Sequence, residues 1–238
     1  MRTAGWSSFA LYGFAIALCQ PLAGCGSAEA PAAPAAGKEN PANAAPVLPA
    51  DAPLVIAFGD SLYAGYQLGP REGLAPQLQA ALAADGRMVR VQNAGVSGDT
   101  TAAGRQRLSY VLDNAKAKPA LVLLGLGGND MLRGIGPNQT RANLDAMLAE
   151  LKRRGIPVLM TGMIAAPNLG SDYASKFNPI FPELADKYGA SLYPFILDNV
   201  VTDKSLMLGD NMHPNAKGVK IVAASLAPLV EQALPAPR

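Results

Sequence analysis

Val55-Ile56-Ala57-Phe58-Gly59-Asp60-Ser61-Leu62 is the stretch from which the rest of the chain can be placed. A short apolar, β-branched run halts at a glycine and passes to a serine, the pattern of a buried strand that delivers a hydroxyl to its C-terminal end. Ser61 is therefore a candidate nucleophile. A serine hydroxyl attacks poorly until a base takes its proton, so the reading requires a base elsewhere. The chain holds a single histidine, His213, within Asp210-Asn211-Met212-His213-Pro214-Asn215. With a carboxylate three residues ahead of the imidazole, one loop can carry both base and orienter.

Outward from that first strand, short apolar runs alternate with longer helical patterns. Strands are expected at 54–58, 89–94, 120–126, 156–161 and 190–194, and helices near 72–84, 100–116, 140–154, 174–188 and 215–233. In 140–154, Leu144, Met147, Leu148 and Leu151 follow the i, i+3, i+4, i+7 spacing, and Lys152-Arg153-Arg154-Gly155 supplies a basic last turn and a stop. Continuous apolar strands alternating with helices predict an α/β fold in three layers, α/β/α, around a five-stranded parallel sheet covered on both faces. Active sites in such sheets form at the C-terminal strand ends, near the point where the strand order reverses. The polar punctuation agrees: Gly59-Asp60-Ser61 follows the first strand, Asn93 to Thr100 the second and Gly127-Gly128-Asn129-Asp130 the third. In a flavodoxin-like order 2-1-3-4-5 those three strands are neighbours and their loops open onto one crevice.

The N-terminal part reads differently. Arg2, an apolar run over 9–18 and then Leu22-Ala23-Gly24-Cys25 form a secretory signal over 1–24, its apolar run too short to span a membrane comfortably. Leu-Ala-Gly-Cys also resembles the lipobox of bacterial lipoproteins, which implies a lipid anchor on Cys25. Cys19 leaves with the signal and Cys25 is acylated, so no intramolecular disulfide is expected. Residues 25–51 are rich in Ala and Pro and cannot bury enough apolar surface to offset their ordering entropy, which makes them a tether to a domain at 52–236. Gly26 after the cysteine resembles the outer-membrane sorting signal of Gram-negative lipoproteins, so the expected location is the outer membrane, facing the periplasm. A net charge of +2 without a basic stripe points to no nucleic-acid partner.

Four blocks together resemble the GDSL or SGNH hydrolase family: Gly59-Asp60-Ser61-Leu62, the glycine of Ser97-Gly98-Asp99-Thr100, Gly127-Gly128-Asn129-Asp130 and Asp210-x-x-His213. The longer matches, Gly59 to Tyr66 and Leu124 to Gly134, are similar to the bacterial branch of multifunctional thioesterases, lysophospholipases and arylesterases. The better-known members of that branch are soluble periplasmic enzymes, from which the lipobox and tether depart. The resemblance implies that Ser61 attacks an ester or thioester carbonyl, that His213 accepts its proton and returns it to the leaving group, and that Asp210 fixes the imidazole tautomer. It also implies an oxyanion hole made by the backbone N–H groups of Ser61 and Gly98 and the side-chain amide of Asn129. Pro214 at a helix start would set the positive end of a helix dipole beside His213, disfavouring its protonation.

Each residue also has a plainer reading. Ser61 can be a helix N-cap, His213 structural, and Gly98 and Asn129 turn residues. Asp60, Asp99 and Asp130 are expected to act as caps or loop-holding acceptors, while Asp198 and Asp203 compete with Asp210 as the orienter of His213. The apolar run 163–169 packs a loop or lines an acyl groove with Leu132 and Ile135. One histidine and no free cysteine argue against a zinc site of the usual kinds, so neither metal nor cofactor is expected. The glycines make neither G-x-G-x-x-G nor a P-loop, and the G-x-S-x-G elbow is absent. The expected partner is a small acyl-ester or lipid-derived substrate, with hydrolysis of acyl esters, thioesters or lysophospholipids as the activity. The alternatives are a carbohydrate O-deacetylase using the same site, or a membrane-tethered scaffold without turnover.

Overall fold

The computed structural model describes residues 48–234. The expected signal at 1–24, Cys25, most of the 25–51 tether and the last residues of the 52–236 domain lie outside them. Five parallel strands, β1 (Leu54–Gly59), β2 (Arg90–Gly95), β3 (Leu121–Gly125), β4 (Val158–Thr161) and β5 (Ser191–Tyr193), form one sheet in the order β2-β1-β3-β4-β5. The predicted doubly covered parallel sheet is therefore the fold, and each strand lies within two residues of its expected bounds.

Side chains alternate across the central strands, as the pleat requires. Val55, Ala57, Leu121, Leu123 and Leu159 pack on one face with α2 (Leu74–Ala84) and α8 (Ala216–Ala233). Leu54, Ile56, Phe58, Val122, Leu124 and Met160 pack on the other, against α3 (Thr101–Asp113), α5 (Pro137–Arg153), α6 (Gly170–Phe177) and α7 (Ile180–Tyr188). The stripe Leu144, Met147, Leu148 and Leu151 is buried as expected.

Four local features differ from the sequence reading. The helix expected at 174–188 is two helices, because Pro179 brings no N–H to a continuous ladder and its ring crowds the preceding turn. Asn178 at the break accepts the N–H of Ala165 at 2.8 Å, which ties the 163–169 loop down. Helix α5 begins at Pro137 rather than 140, since a proline at the first helical position gives up a donor that has no partner there anyway. Two short helices, α1 (Ser61–Ala64) and α4 (Gly128–Leu132), are too brief to show a period. Pro214 is not at a helix start: it bridges to Met207, and α8 opens after Asn215, whose side-chain Oδ1 accepts from Lys217 N and Gly218 N. His213 thus lies ahead of the cap, outside the first turn in which a helix dipole acts.

Gly95, Gly59 and Gly125 stand side by side at the C-terminal edge of the sheet. A Cβ on Gly59 or Gly125 would collide with the ring of Tyr63, and one on Gly95 with the backbone of α1. The glycines therefore let α1 lie directly across the strand ends. Tyr63 is fully buried there, its hydroxyl 2.8 Å from Thr161 Oγ1 at the end of β4.

Candidate active site

The first component is built by β1 and the turn that follows it. Asp60 is the N-cap of α1 and accepts the N–H of Leu62 at 3.1 Å, so Ser61 is the first helical residue and not the cap. Ser61 as a whole is half-buried.

The second component is the loop ahead of α8. Asp210 Oδ1 accepts from Met212 N at 2.9 Å and His213 N at 3.0 Å, and Asn211 takes a positive φ of 53° that asparagine tolerates better than most residues. This turn leaves Asp210 Oδ2 facing the imidazole, 2.6 Å from His213 Nδ1. The three-residue spacing thus serves both the turn and the pair. Outside the turn, Leu208 N donates to His213 O at 2.7 Å, and the Asn215 amide donates to Ser205 O and Met207 O. Burial pushes the Asp210 carboxyl up, but the His213 and Met212 N–H groups and the imidazole together outweigh it and hold it at about 2. Asp198 holds Asn199 and Asp203 caps the 204–206 turn, which leaves Asp210 as the carboxylate that orients the ring.

The two components meet: His213 Nε2 lies 2.8 Å from Ser61 Oγ, across 152 residues of chain. The line Ser61 Oγ, Nε2, Nδ1, Asp210 Oδ2 can move a proton off the hydroxyl and steady the imidazolium that results.

The third component is a pair of loops. Gly98 has φ +85°, which favours glycine, and its carbonyl accepts from Arg133 Nη2 at 2.7 Å. Asn129 stands on α4, its Nδ2 3.4 Å from Asp60 Oδ2. Among the described residues, neither the N–H of Ser61 nor that of Gly98 donates to a protein acceptor. Backbone donors without a protein acceptor, on loops at the C-terminal edge of the sheet, suit an oxygen that gains negative charge.

Asp60, Asp99 and Asp130, expected as caps or loop-holding acceptors, do hold the loops, and their partners, Arg107 above all, are what the sequence did not show. Asp60 is not merely a cap: it is 4% exposed, contacts the Asn129 amide, and is raised by burial from 3.8 to about 6 despite the Leu62 N–H, the charge of His213 and the Asn129 amide, which all pull it down. Asp99 is gripped by Arg107 Nε at 2.6 Å, while Arg107 Nη1 and Nη2 donate to Ala94 O at 2.7 Å and Gly59 O at 2.9 Å. The same guanidinium lies 3.9 Å above the centre of the Phe58 ring. One side chain thereby fastens the ends of β1 and β2 to the Gly98 loop. Its one signal in the sequence is a cation beside the apolar stripe of α3. Asp130, fully buried, accepts from Thr101 N, Thr101 Oγ1 and Thr140 Oγ1. The 163–169 run is mostly packed, with Ala165 buried and Met163, Ala166 and Leu169 against the core, while Ile164 and Leu132 are exposed.

A parallel α/β sheet whose crevice aligns a serine hydroxyl, an imidazole and a carboxylate has the architecture of a serine hydrolase. The chain belongs to the GDSL-like lipase/acylhydrolase family, whose model matches residues 57–221, and is an SGNH-type hydrolase. It is 38% identical over 173 residues to an arylesterase of Vibrio mimicus, covering 73% of this chain and 86% of that protein. It is 33% identical over 178 residues to the thioesterase 1/protease 1/lysophospholipase L1 of Escherichia coli K12, covering 75% of this chain and 83% of the relative. The crystal structure of AlinE4, an SGNH-hydrolase family esterase, superposes with a TM-score of 0.67 at 48% identity, covering 78% of this chain and 98% of AlinE4.

Proposed function

We propose that this serine esterase acts on acyl esters and also on thioesters and lysophospholipids, with Ser61 as nucleophile, His213 as base and Asp210 as orienter. The observation that carries the reading is the continuous pair of contacts on one imidazole, 2.8 Å to Ser61 Oγ and 2.6 Å to Asp210 Oδ2. Ser61 Oγ bonds to the acyl carbon as its proton passes to His213 Nε2. The carbonyl oxygen becomes an oxyanion held by the N–H groups of Ser61 and Gly98 and by the Asn129 amide. The carbonyl re-forms, the alcohol, thiol or lysolipid glycerol leaves with the proton from Nε2, and an acyl-serine remains. A water then gives a proton to His213 Nε2 and attacks the acyl carbon, and as the carboxylic acid forms the same proton passes from Nε2 back to the departing Ser61 Oγ. The extension to thioesters and lysophospholipids is supported by the similarity to the thioesterase 1/protease 1/lysophospholipase L1 of Escherichia coli.

The test is hydrolysis of acetyl, hexanoyl and dodecanoyl p-nitrophenyl esters, palmitoyl-CoA and lysophosphatidylcholine by the full-length protein, with Ser61→Ala and His213→Ala as controls. Loss of all rates in both variants is expected. Rates surviving in either variant would remove that residue from the mechanism, and a rate confined to acetyl esters would favour a deacetylase.

We further propose that residues 1–24 are a signal, that Cys25 carries the lipid, and that 25–51 tether the 52–236 domain to the periplasmic face of the outer membrane. The support is the sequence Leu22-Ala23-Gly24-Cys25-Gly26. Incorporation of labelled palmitate that is lost in Cys25→Ser is the expected result; labelling retained in that variant would refute the anchor.

A further inference from the structure

The imidazole of His213 is held on its two nitrogens by Ser61 and Asp210, and a third contact covers its face. The ring of Tyr66 lies with its centroid 4.5 Å from that of His213, the planes inclined by 37°. Tyr66 belongs to the nucleophile's own turn, since its N–H donates to Ser61 O at 3.2 Å. Gly65 and Gln67 on either side have φ of +80° and +57°, and the Gln67 amide donates to the Tyr66 hydroxyl at 3.1 Å. A left-handed backbone at a glutamine costs free energy that local contacts must offset, and such residues gather at functional sites. Tyr66 is nonetheless 38% exposed, so burial of the ring does not account for its placement.

We propose that Tyr66 is a positioning residue for the base: its π face stabilises the imidazolium that His213 becomes when it takes the Ser61 proton, and fixes the ring plane between Ser61 and Asp210. The inference rests on the serine esterase reading above. A cation within about 6 Å of an aromatic centroid is attracted by the ring quadrupole, more strongly as water is excluded. The His213 side chain is 13% exposed, and the Tyr66 ring is part of what shields it. The other charged groups facing the imidazole are Asp210 on its Nδ1 edge and Asp60 at the base of the Ser61 turn. Both favour the cation as well, so the aromatic contribution must be read by changing Tyr66 alone.

The sign follows from what the ring does. Removing it makes the imidazolium less stable, so the acid limb of kcat/KM moves to lower pH while the plateau rate falls. In Tyr66→Leu, full-length protein acting on p-nitrophenyl acetate, kcat is expected to drop about two- to thirtyfold, with KM less affected, and the acid limb to move down by about 0.4–1.5 pH units. Tyr66→Phe keeps the π face and is expected to restore both. Tyr66→Trp, with the stronger quadrupole, is expected to move the limb upward, and it carries the test should Tyr66→Leu fail to fold. A limb unmoved in Tyr66→Leu, a Tyr66→Phe as impaired as Tyr66→Leu, or a Tyr66→Trp limb that stays or falls would overturn the inference. Inactive wild-type protein would instead overturn the esterase reading, which separates the two failures.

Discussion

The carboxylate of Asp130 accepts the backbone N–H of Thr101 at 2.7 Å, joining two loops separated by 29 residues of chain. Thr101 opens α3, directly after the Gly98 loop, and Asp130 follows Asn129 on α4. Asn143 on α5 donates to Thr101 Oγ1 at 3.1 Å, so the junction is satisfied from a third element. This one carboxylate sets the spacing between two of the proposed oxyanion donors without touching the crevice itself.

Asp130→Ala leaves the Thr101 N–H and two hydroxyls without their acceptor in a fully buried place. The expected cost is about 2–4 kcal/mol in urea unfolding, with a fall in kcat as the two loops lose register. Asp130→Asn keeps one acceptor oxygen and should cost less. Unchanged stability in Asp130→Ala would show that the junction holds without its carboxylate.

Arg107 is expected to resist conservative replacement. Its fork reaches Asp99, Ala94 O and Gly59 O at once, and an ammonium cannot reproduce three donors in one plane. Arg107→Lys should therefore lower Tm nearly as far as Arg107→Ala, by several degrees at about 2–4 °C per kcal/mol for a chain of this size. A lysine variant that melts with the wild type would mean that the clamp is one contact and not three.

For Asn129→Ala the expected loss is about a hundred- to thousandfold in kcat with KM little changed, the usual result of deleting one oxyanion donor. Far-ultraviolet circular dichroism should match the wild type, because Asn129 is partly exposed on a short helix and its side chain bonds to Asp60 rather than filling the core. Activity within about threefold of wild type would take Asn129 out of the hole.

Asp60 makes stability depend on pH in a direction unusual for a carboxylate. Its folded value of about 6 lies above the ordinary 3.8, so the fold binds its proton more tightly than the unfolded chain does. The associated stability is complete below about pH 4 and is lost as pH rises through 6, a difference of about 3 kcal/mol. Asp210, held at about 2, has the opposite sign: its smaller contribution, discounted because the side chain is 36% exposed, is present above pH 4 and is lost as pH falls towards 2. Urea unfolding of Asp60→Asn at pH 4.5 and 7.5 tests the first claim. The variant should gain on the wild type at the higher pH, while its kcat falls because the Asn129 amide no longer faces a carboxylate. An unchanged difference between the two pH values would show that Asp60 does not titrate in this window.

Much of this was legible along the chain. The continuous apolar run from Val55 to Phe58 and the helical spacing from Leu144 to Leu151 are local patterns, and the flavodoxin-like order expected for parallel strands joined by crossover helices is the order found. Ser61, Asp210 and His213 could be named because a serine follows a buried strand and the one histidine follows a carboxylate by three residues, whereas Gly98 and Asn129 were implied by the resemblance to the GDSL or SGNH blocks and otherwise read as turn residues. The single helix expected at 174–188 was wrong for a reason already written at Pro179, where a proline interrupts the ladder. Pro214 misled in the other direction, because the cap went to Asn215, which had two first-turn donors to satisfy.

By itself, then, the sequence determined the layers and put Ser61, Asp210 and His213 forward as reacting groups, since apolar runs and turn chemistry act over a few residues. Only the tertiary structure decided what holds those groups in place. The contact between Asp60 and Asn129, the reach of Arg107 to Gly59 and the ring of Tyr66 against His213 join residues 69, 48 and 147 positions apart. No spacing rule encodes such pairs. They exist because a parallel sheet brings the C-terminal ends of its strands to one edge, where polar groups taken out of water must find partners in neighbouring loops rather than along their own chain.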